Sequence, residues 1–164
     1  MDNLIKVIIN KESFEKARNE IKKLYKENKE NQNKNQQNLI VFSSENDELN
    51  RKILEKERID ILLLNLRQRK DRLKQRDSGF NQVLAKAAKS NNIKIGINFD
   101  EIADEKDLIE KARIFSRIRQ NIKLCNKNKI NMVFIIQKKQ NERNIYDLKS
   151  LGSVMGMPSW MLAG

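Results

Sequence analysis

The chain predicts an α/β fold of repeated βα units, an abbreviated or open TIM-barrel-like parallel sheet. Short apolar runs and amphipathic helical stripes alternate five times at roughly 30-residue intervals, the rhythm of βα units that pair into a parallel sheet. The length of 164 residues suffices for one domain with a proper core but falls short of the ~250 residues of a complete eight-unit barrel. One domain over residues 1–164 is therefore expected.

Taken in order, Ile5–Ile9 reads as a strand, and Ser13–Tyr25 as a helix with Phe14, Ala17, Ile21 and Leu24 on its buried stripe. Residues 28–38 are uniformly polar and predict a flexible connection. A second strand at Leu39–Phe42 precedes a helix over Asp47–Arg58 that carries Leu49, Ile53 and Leu54. The third strand, Ile61–Leu66, begins with an apolar run of the kind buried on both faces. After the loop at 67–76 a helix is expected with Phe80, Val83, Leu84, Ala87 and Ala88 inward, Gln82, Lys86 and Lys89 outward, and Asp77 or Ser78 as its N-cap. Ile93–Phe99 alternates as a fourth strand, with Gly96 marking a close backbone approach or a bulge. Asp100 and Asp104 then open one long helix to about Asn126, with Leu108, Ala112, Phe115, Ile118 and Ile122 inward and Lys111, Arg113, Arg117, Arg119 and Lys123 on its flanks. Ile130–Ile136 is the fifth strand. The apolar tail at about 150–164, with Met155, Met157, Trp160, Met161 and Leu162, must dock on this domain or on a partner. Gly152 and Gly156 there are read as helix-ending residues.

The 34 Lys and Arg exceed the 22 Asp and Glu, for a formal charge of +12 and a pI near 9.8. That balance points to an anionic polymer as partner. Histidine is absent, which excludes Ser-His-Asp and Cys-His catalysis and every His-containing zinc site. Cys125, the only cysteine, reads as a small packed side chain in a reducing compartment. No run approaches the ~18 apolar residues of a membrane span, and Met1–Asn10 has no signal-peptide pattern, so a cytoplasmic location without membrane contact is expected.

The cations cluster. From Arg67 to Arg76 six of ten residues are Lys or Arg (Arg67, Arg69, Lys70, Arg72, Lys74, Arg76) against the single carboxylate of Asp71. The run follows a strand, where α/β sheets gather function. We read these six as phosphate contacts, with Lys86 and Lys89 placed to extend the track or to form an ordinary wet helix face; for Arg113, Arg117, Arg119 and Lys123 the helix alone leaves the same choice open. Arg76 and Asp77 allow a second reading, an ion pair fixing the helix entrance. Asn121 either orients a neighbour or touches RNA. Asp60, Asp77, Asp100, Glu101 and Asp104 are candidate metal ligands, although carboxylates in such positions more often begin helices. Of nine aromatics, Phe14, Phe80 and Phe115 fall on buried stripes and Phe42, Phe99 and Phe134 in strands, so shape and phosphate contact outweigh base stacking.

The segment Arg76-Asp77-Ser78-Gly79-Phe80-Asn81-Gln82-Val83-Leu84-Ala85-Lys86 resembles the signature of the archaeal ribonuclease P protein component 3 family, relatives of the eukaryotic barrel subunit of that enzyme. Gln82 stands where the family usually has histidine. Glu110–Arg113, Arg119–Leu124, Tyr146–Leu148 and Leu151–Met157 resemble further family segments, in matching order. The resemblance implies a barrel-like subunit that binds the catalytic RNA of ribonuclease P beside a small ferredoxin-like protein. It would support removal of the 5′ leader from precursor tRNA, with Asp77, Gly79 and Asn81 as structural motif residues and with Arg113, Arg119 and Lys123 in family-like positions that favour RNA contact. It also implies that RNA and Mg²⁺ perform the hydrolysis, with no cofactor on the protein and no catalytic side chain. The competing expectation is a metal-dependent phosphoesterase or nuclease using Asp60, Asp100 and Glu101.

Overall fold

The computed structural model describes residues 5–31 and 38–163. Five strands, β1 (Ile5–Asn10), β2 (Asn38–Ser43), β3 (Ile61–Leu64), β4 (Lys94–Asn98) and β5 (Met132–Ile135), form one parallel sheet in the order β1-β2-β3-β4-β5. Neighbours in sequence are neighbours in space, and the order never reverses. A sheet wound in one direction by right-handed crossovers carries its connecting helices on one face. These are α1 (Phe14–Glu30), α2 (Asp47–Lys56), α3 (Gln82–Ser90), and the pair α4 (Phe99–Asp104) and α5 (Leu108–Asn128). α6 (Ile145–Met155) and α7 (Ser159–Leu162) follow β5.

The strand period of two sorts side chains into two cores. Ile40 and Phe42, Leu62 and Leu64, and Ile95 and Ile97 point to the helices. Val41, Ile61, Leu63 and Ile135 form a separate cluster, joined by Leu39 and Val133, on the opposite face. The four central residues of this second face are at most 2% exposed. Gly96 contributes to that burial. A Cβ at Gly96 would lie 3.0 Å from Ile61, 3.0 Å from Leu63 and 3.2 Å from Ile135, so side chains of β3 and β5 close over β4 where it has none. The β3–β4 and β4–β5 registers run through Gly96 without interruption, which selects the close approach over the bulge. The architecture is thus an open, five-stranded TIM-barrel-like α/β sheet.

Several element limits differ from the sequence expectation. α1 continues to Glu30, and the Asn28 side chain bonds the Asn38 backbone in both directions (2.9 and 2.8 Å); residues 32–37 of the expected flexible connection lie outside the described residues. β3 ends at Leu64. The expected long helix is two. Asn98 caps α4 by accepting the Asp100 N–H (3.1 Å), and Asp107 caps α5 by accepting the Ile109 N–H (2.9 Å). Between them Glu105 is extended, with its carboxylate turned onto the Asp107 N–H and Arg67. The buried stripe of α5 is Ile114, Arg117, Ile118, Asn121, Ile122 and Cys125; Leu108 is 77% exposed and Ala112 is also exposed, so the expected stripe is rotated.

The tail docks on this domain. Met155, Met157 and Met161 are buried, and the Trp160 indole N–H donates to Asn126 Oδ1 at 3.2 Å. Gly156 ends α6 in the left-handed region (φ 102°). Gly152, expected to end a helix, lies within α6; a Cβ there would meet the Met157 sulfur at 2.8 Å, so its absence lets the chain fold back. Burial pushes the Cys125 thiol up to about 12, consistent with an inert packed side chain.

Candidate nucleic-acid interface

β3 delivers Asn65 to the C-terminal rim of the sheet, and the chain from there to Asn81 is bonded to its surroundings at several points. The Leu66 and Arg67 N–H groups donate to the Glu101 carboxylate (2.9 and 3.4 Å), and the Gln68 N–H donates to Glu110 (2.9 Å). Arg117, with 0% exposure, lies beneath. Its guanidinium donates to the carbonyls of Leu66 (2.8 Å) and Arg69 (2.7 Å) and to Asp71 (3.1 Å) and Glu110 (3.2 Å). Asp71 in turn accepts the Asp77 N–H at 2.8 Å. A buried guanidinium is tolerable only when such a set of acceptors replaces water. The sequence pattern places Arg117 on a solvated flank; the structure corrects this, because Arg117 is the post on which the loop is hung.

The same geometry sorts the candidate cations. Arg69 contacts Asp47 with both terminal nitrogens (2.8 Å each), Asp77 at 3.2 Å and the Asn65 carbonyl, and its side chain is 10% exposed. Its four bonds make it a brace, which corrects the reading of Arg69 as an open phosphate contact. Arg67 pairs with Glu105 at 2.9 Å and stays half exposed. Arg113 lies 3.5 Å from Glu110, and the Lys89 ammonium donates to the Lys129 carbonyl at 2.9 Å. Arg76 approaches Asp71 (3.8 Å) rather than the expected Asp77. Lys70, Arg72, Lys74, Lys86, Arg119 and Lys123 are exposed and have no ion-pair partner among the described residues. Arg72 and Lys74 sit on a tight turn in which the Arg72 and Gln75 backbones exchange hydrogen bonds of 2.9 and 3.3 Å. Gln120 of α5 donates to the Arg76 carbonyl and to Ser78, and Gln82 of α3 donates to Asn128, so loop, α3 and α5 form one layer.

The motif following the loop is structural. Asp77 accepts the Gly79 N–H (3.2 Å), and Gly79 has φ 65°, with the Arg69 guanidinium within 2.6 Å of where a Cβ would stand. Asn81, not Asp77 or Ser78, caps α3 by accepting the Val83 and Leu84 N–H groups (3.0 Å each). The cap turns Val83 outward (58% exposed) and Ala85 inward. Asn121 is buried, with its carbonyl oxygen unpartnered, and so does not face a ligand surface.

Of the expected metal ligands, Asp77, Asp100, Glu101 and Asp104 line one groove and Asp60 does not. Asp60 accepts the Ile40 N–H at 2.7 Å and sits before β3, whereas Asp100 and Glu101 follow β4 at the other end of the sheet, roughly 13 Å away by the rise of four residues. Asp100 accepts from Gln137, Lys138 and Asn141, and Asp104 from Lys138 and Asn141. Among the described residues no three metal-binding side chains converge. Distance therefore keeps Asp60 out of a common site with Asp100 and Glu101, whose carboxylates accept hydrogen bonds from neighbouring segments.

Burial pushes the Asp71 and Glu110 carboxyls up. For Asp71 the Arg117 side chain and the Asp77 N–H outweigh it; for Glu110 the Gln68 N–H and Arg117 do, and both carboxyls rest below their ordinary range. Such a carboxyl contributes stability above its unfolded pKa and loses it as pH falls through its lower folded value. The clamp is thus complete at neutral pH and is lost as acid protonates these carboxyls, below the ordinary carboxylate range. Thermal midpoints from pH 7 to pH 3 should fall less steeply in Glu110→Gln than in the parent; superimposable profiles would contradict the clamp.

An open parallel βα sheet with a cationic loop on its C-terminal rim defines the class: a TIM-barrel-like α/β protein. The chain belongs to the RNase P subunit p30 family, whose model matches residues 17–160. It is also similar to a chain in a solved structure described as the cryo-EM structure of archaeal ribonuclease P with mature tRNA. Identity is 26%, the TM-score is 0.71, and the match covers 95% of this chain and 62% of that one. This chain thus spans less than two thirds of that relative's length. A comparison with curated proteins returned no match. Among the described residues no helix is long and apolar enough to cross a membrane.

Proposed function

We propose that this chain is an RNA-binding, noncatalytic subunit of ribonuclease P, which supports the catalytic RNA in removing the 5′ leader of precursor tRNA. The observation that carries the reading is the loop at 67–76: Lys70, Arg72 and Lys74, exposed and without an ion-pair partner among the described residues, beside Arg69 and Asp71, which the buried Arg117 bonds. Phosphate neutralisation needs fixed positive charge and no general base. Lys86, Arg119 and Lys123 extend the positive layer along α3 and α5. Family membership and the likeness to a chain of archaeal ribonuclease P support the same assignment. Its partners are the catalytic RNA, precursor tRNA in the holoenzyme, and a small ferredoxin-like protein subunit; Mg²⁺ resides on the RNA, and the setting is the cytoplasm.

The test uses RNA-free protein. Alone, with Mg²⁺ or Mn²⁺, it should leave precursor tRNA intact, while binding a ribonuclease P RNA transcript with steep salt dependence. Cleavage by the protein that disappears in Asp100→Ala would reinstate the nuclease reading. Affinity indifferent to a fourfold rise in salt would overturn the proposal.

A further inference from the structure

The cationic loop ends in an apolar point. Leu73 occupies the apex of the Arg72–Gln75 turn with a relative exposure of 107%, the highest among the exposed large hydrophobic residues described. A lone exposed leucine is ordinary on a protein surface. This one differs in how it is held. The turn is closed by two backbone hydrogen bonds, its base is fixed through Asp71 to buried Arg117, and its neighbours Arg72 and Lys74 have no carboxylate partner among the described residues. Two grooves share Arg72, Gln75 and Arg76. One, of about 520 Å³, is also lined by Asp47, Glu48, Asp77, Phe80 and Val83; the other, of about 420 Å³, by Leu73, Lys74 and Gln120.

A rigid apolar tip between two cations fits a polyanion that offers apolar surface between phosphates. Nucleic acids do so at unstacked bases, where leucine is among the side chains that insert as wedges. An apolar pocket on a protein would satisfy Leu73 but would leave Arg72 and Lys74 without counter-charge, so charge complementarity selects RNA. We propose that Leu73 is a wedge packing against an unstacked base of the bound RNA, at a loop, bulge or helix end, while Arg72 and Lys74 hold the flanking phosphates. This rests on the RNA-binding reading above and adds to it a recognition element that charge alone does not supply.

The experiment compares Leu73→Ala with the double variant Arg72→Gln/Lys74→Gln in the full chain, using an archaeal ribonuclease P RNA transcript. Affinity is measured from 50 to 400 mM salt, with nucleotide-resolution acylation footprinting. Truncating Leu73 should weaken binding about fivefold at every salt concentration, leave the salt slope unchanged, and alter reactivity at one unpaired nucleotide. The double variant should lower the slope. Parental affinity and footprint for Leu73→Ala, with weakened binding in the double variant, would overturn the wedge and leave the RNA-binding reading standing. Unaltered binding in both variants would overturn both. Intact RNA binding by Leu73→Ala with lost association to a protein subunit would reassign the apex to a protein interface and overturn the wedge.

Discussion

Replacing Arg117 with leucine lowers the free energy of unfolding by about 3–5 kcal/mol, the cost of removing one partner from a buried charge network. The residue makes no contact with solvent, and its removal leaves the Leu66 and Arg69 carbonyls and the Asp71 and Glu110 carboxylates without a common donor. Asp71 and Glu110 would keep only the more distant and half-exposed Arg76 (3.8 Å) and Arg113 (3.5 Å) as cations. Arg117→Lys should recover little, because one ammonium cannot span four acceptors that a planar guanidinium reaches in different directions. Urea unfolding midpoints give the measurement. Hydrogen exchange adds the local readout: the amides of Gln68 and Asp77, which donate to Glu110 and Asp71, should lose protection first. A midpoint within experimental error of the parent would refute the role assigned to Arg117. RNA affinity should fall in the same variant although every exposed cation of the loop is retained, since the cations must then be ordered at the moment of binding.

The second large effect is electrostatic. Substituting Lys70, Arg72 and Lys74 together with glutamine should reduce the slope of log affinity against log salt by about 2–3, at about 0.7–0.9 for each phosphate no longer neutralised. At fixed low salt the affinity should drop more than tenfold. The substitutions remove no intramolecular ion pair, so the unfolding midpoint should hold. Arg69→Gln is the informative contrast. That side chain is engaged by Asp47 and Asp77, so its replacement should lower stability and change the slope little. The opposite pattern, a slope set by Arg69 and indifferent to the other three, would invert the division between bracing and presenting residues. Filter binding or fluorescence anisotropy across a salt series, with stability measured on the same preparations, decides between them.

The division was not legible in the order of residues. The loop reads as six equivalent cations because composition carries no partners. Asp47 is 22 residues from Arg69, and Arg117 reaches Asp71 across 46. Helical periodicity failed at α5 for a related reason: the buried stripe contains Arg117 and Asn121, and a pattern rule that expects apolar residues inside rotates the helix to bury Leu108 and Ala112 instead. The break before α5 escaped because the Asp104–Asp107 stretch offers several capping residues, and only the contact of Glu105 with Arg67 selects among them. Asp60 and Asp100 looked like one acidic set, whereas a parallel strand separates them.

Taken alone, the order of residues determined what local physics encodes: five strand-and-helix units from alternating periodicities, their parallel arrangement, the absence of histidine chemistry, and a concentration of positive charge after the third strand. Tertiary structure decided what each charge does, because pairing depends on distances across the sheet rim that the order of residues does not contain. Where a guanidinium is surrounded by carbonyls and carboxylates it becomes scaffold; where water is its only neighbour it remains available to a phosphate.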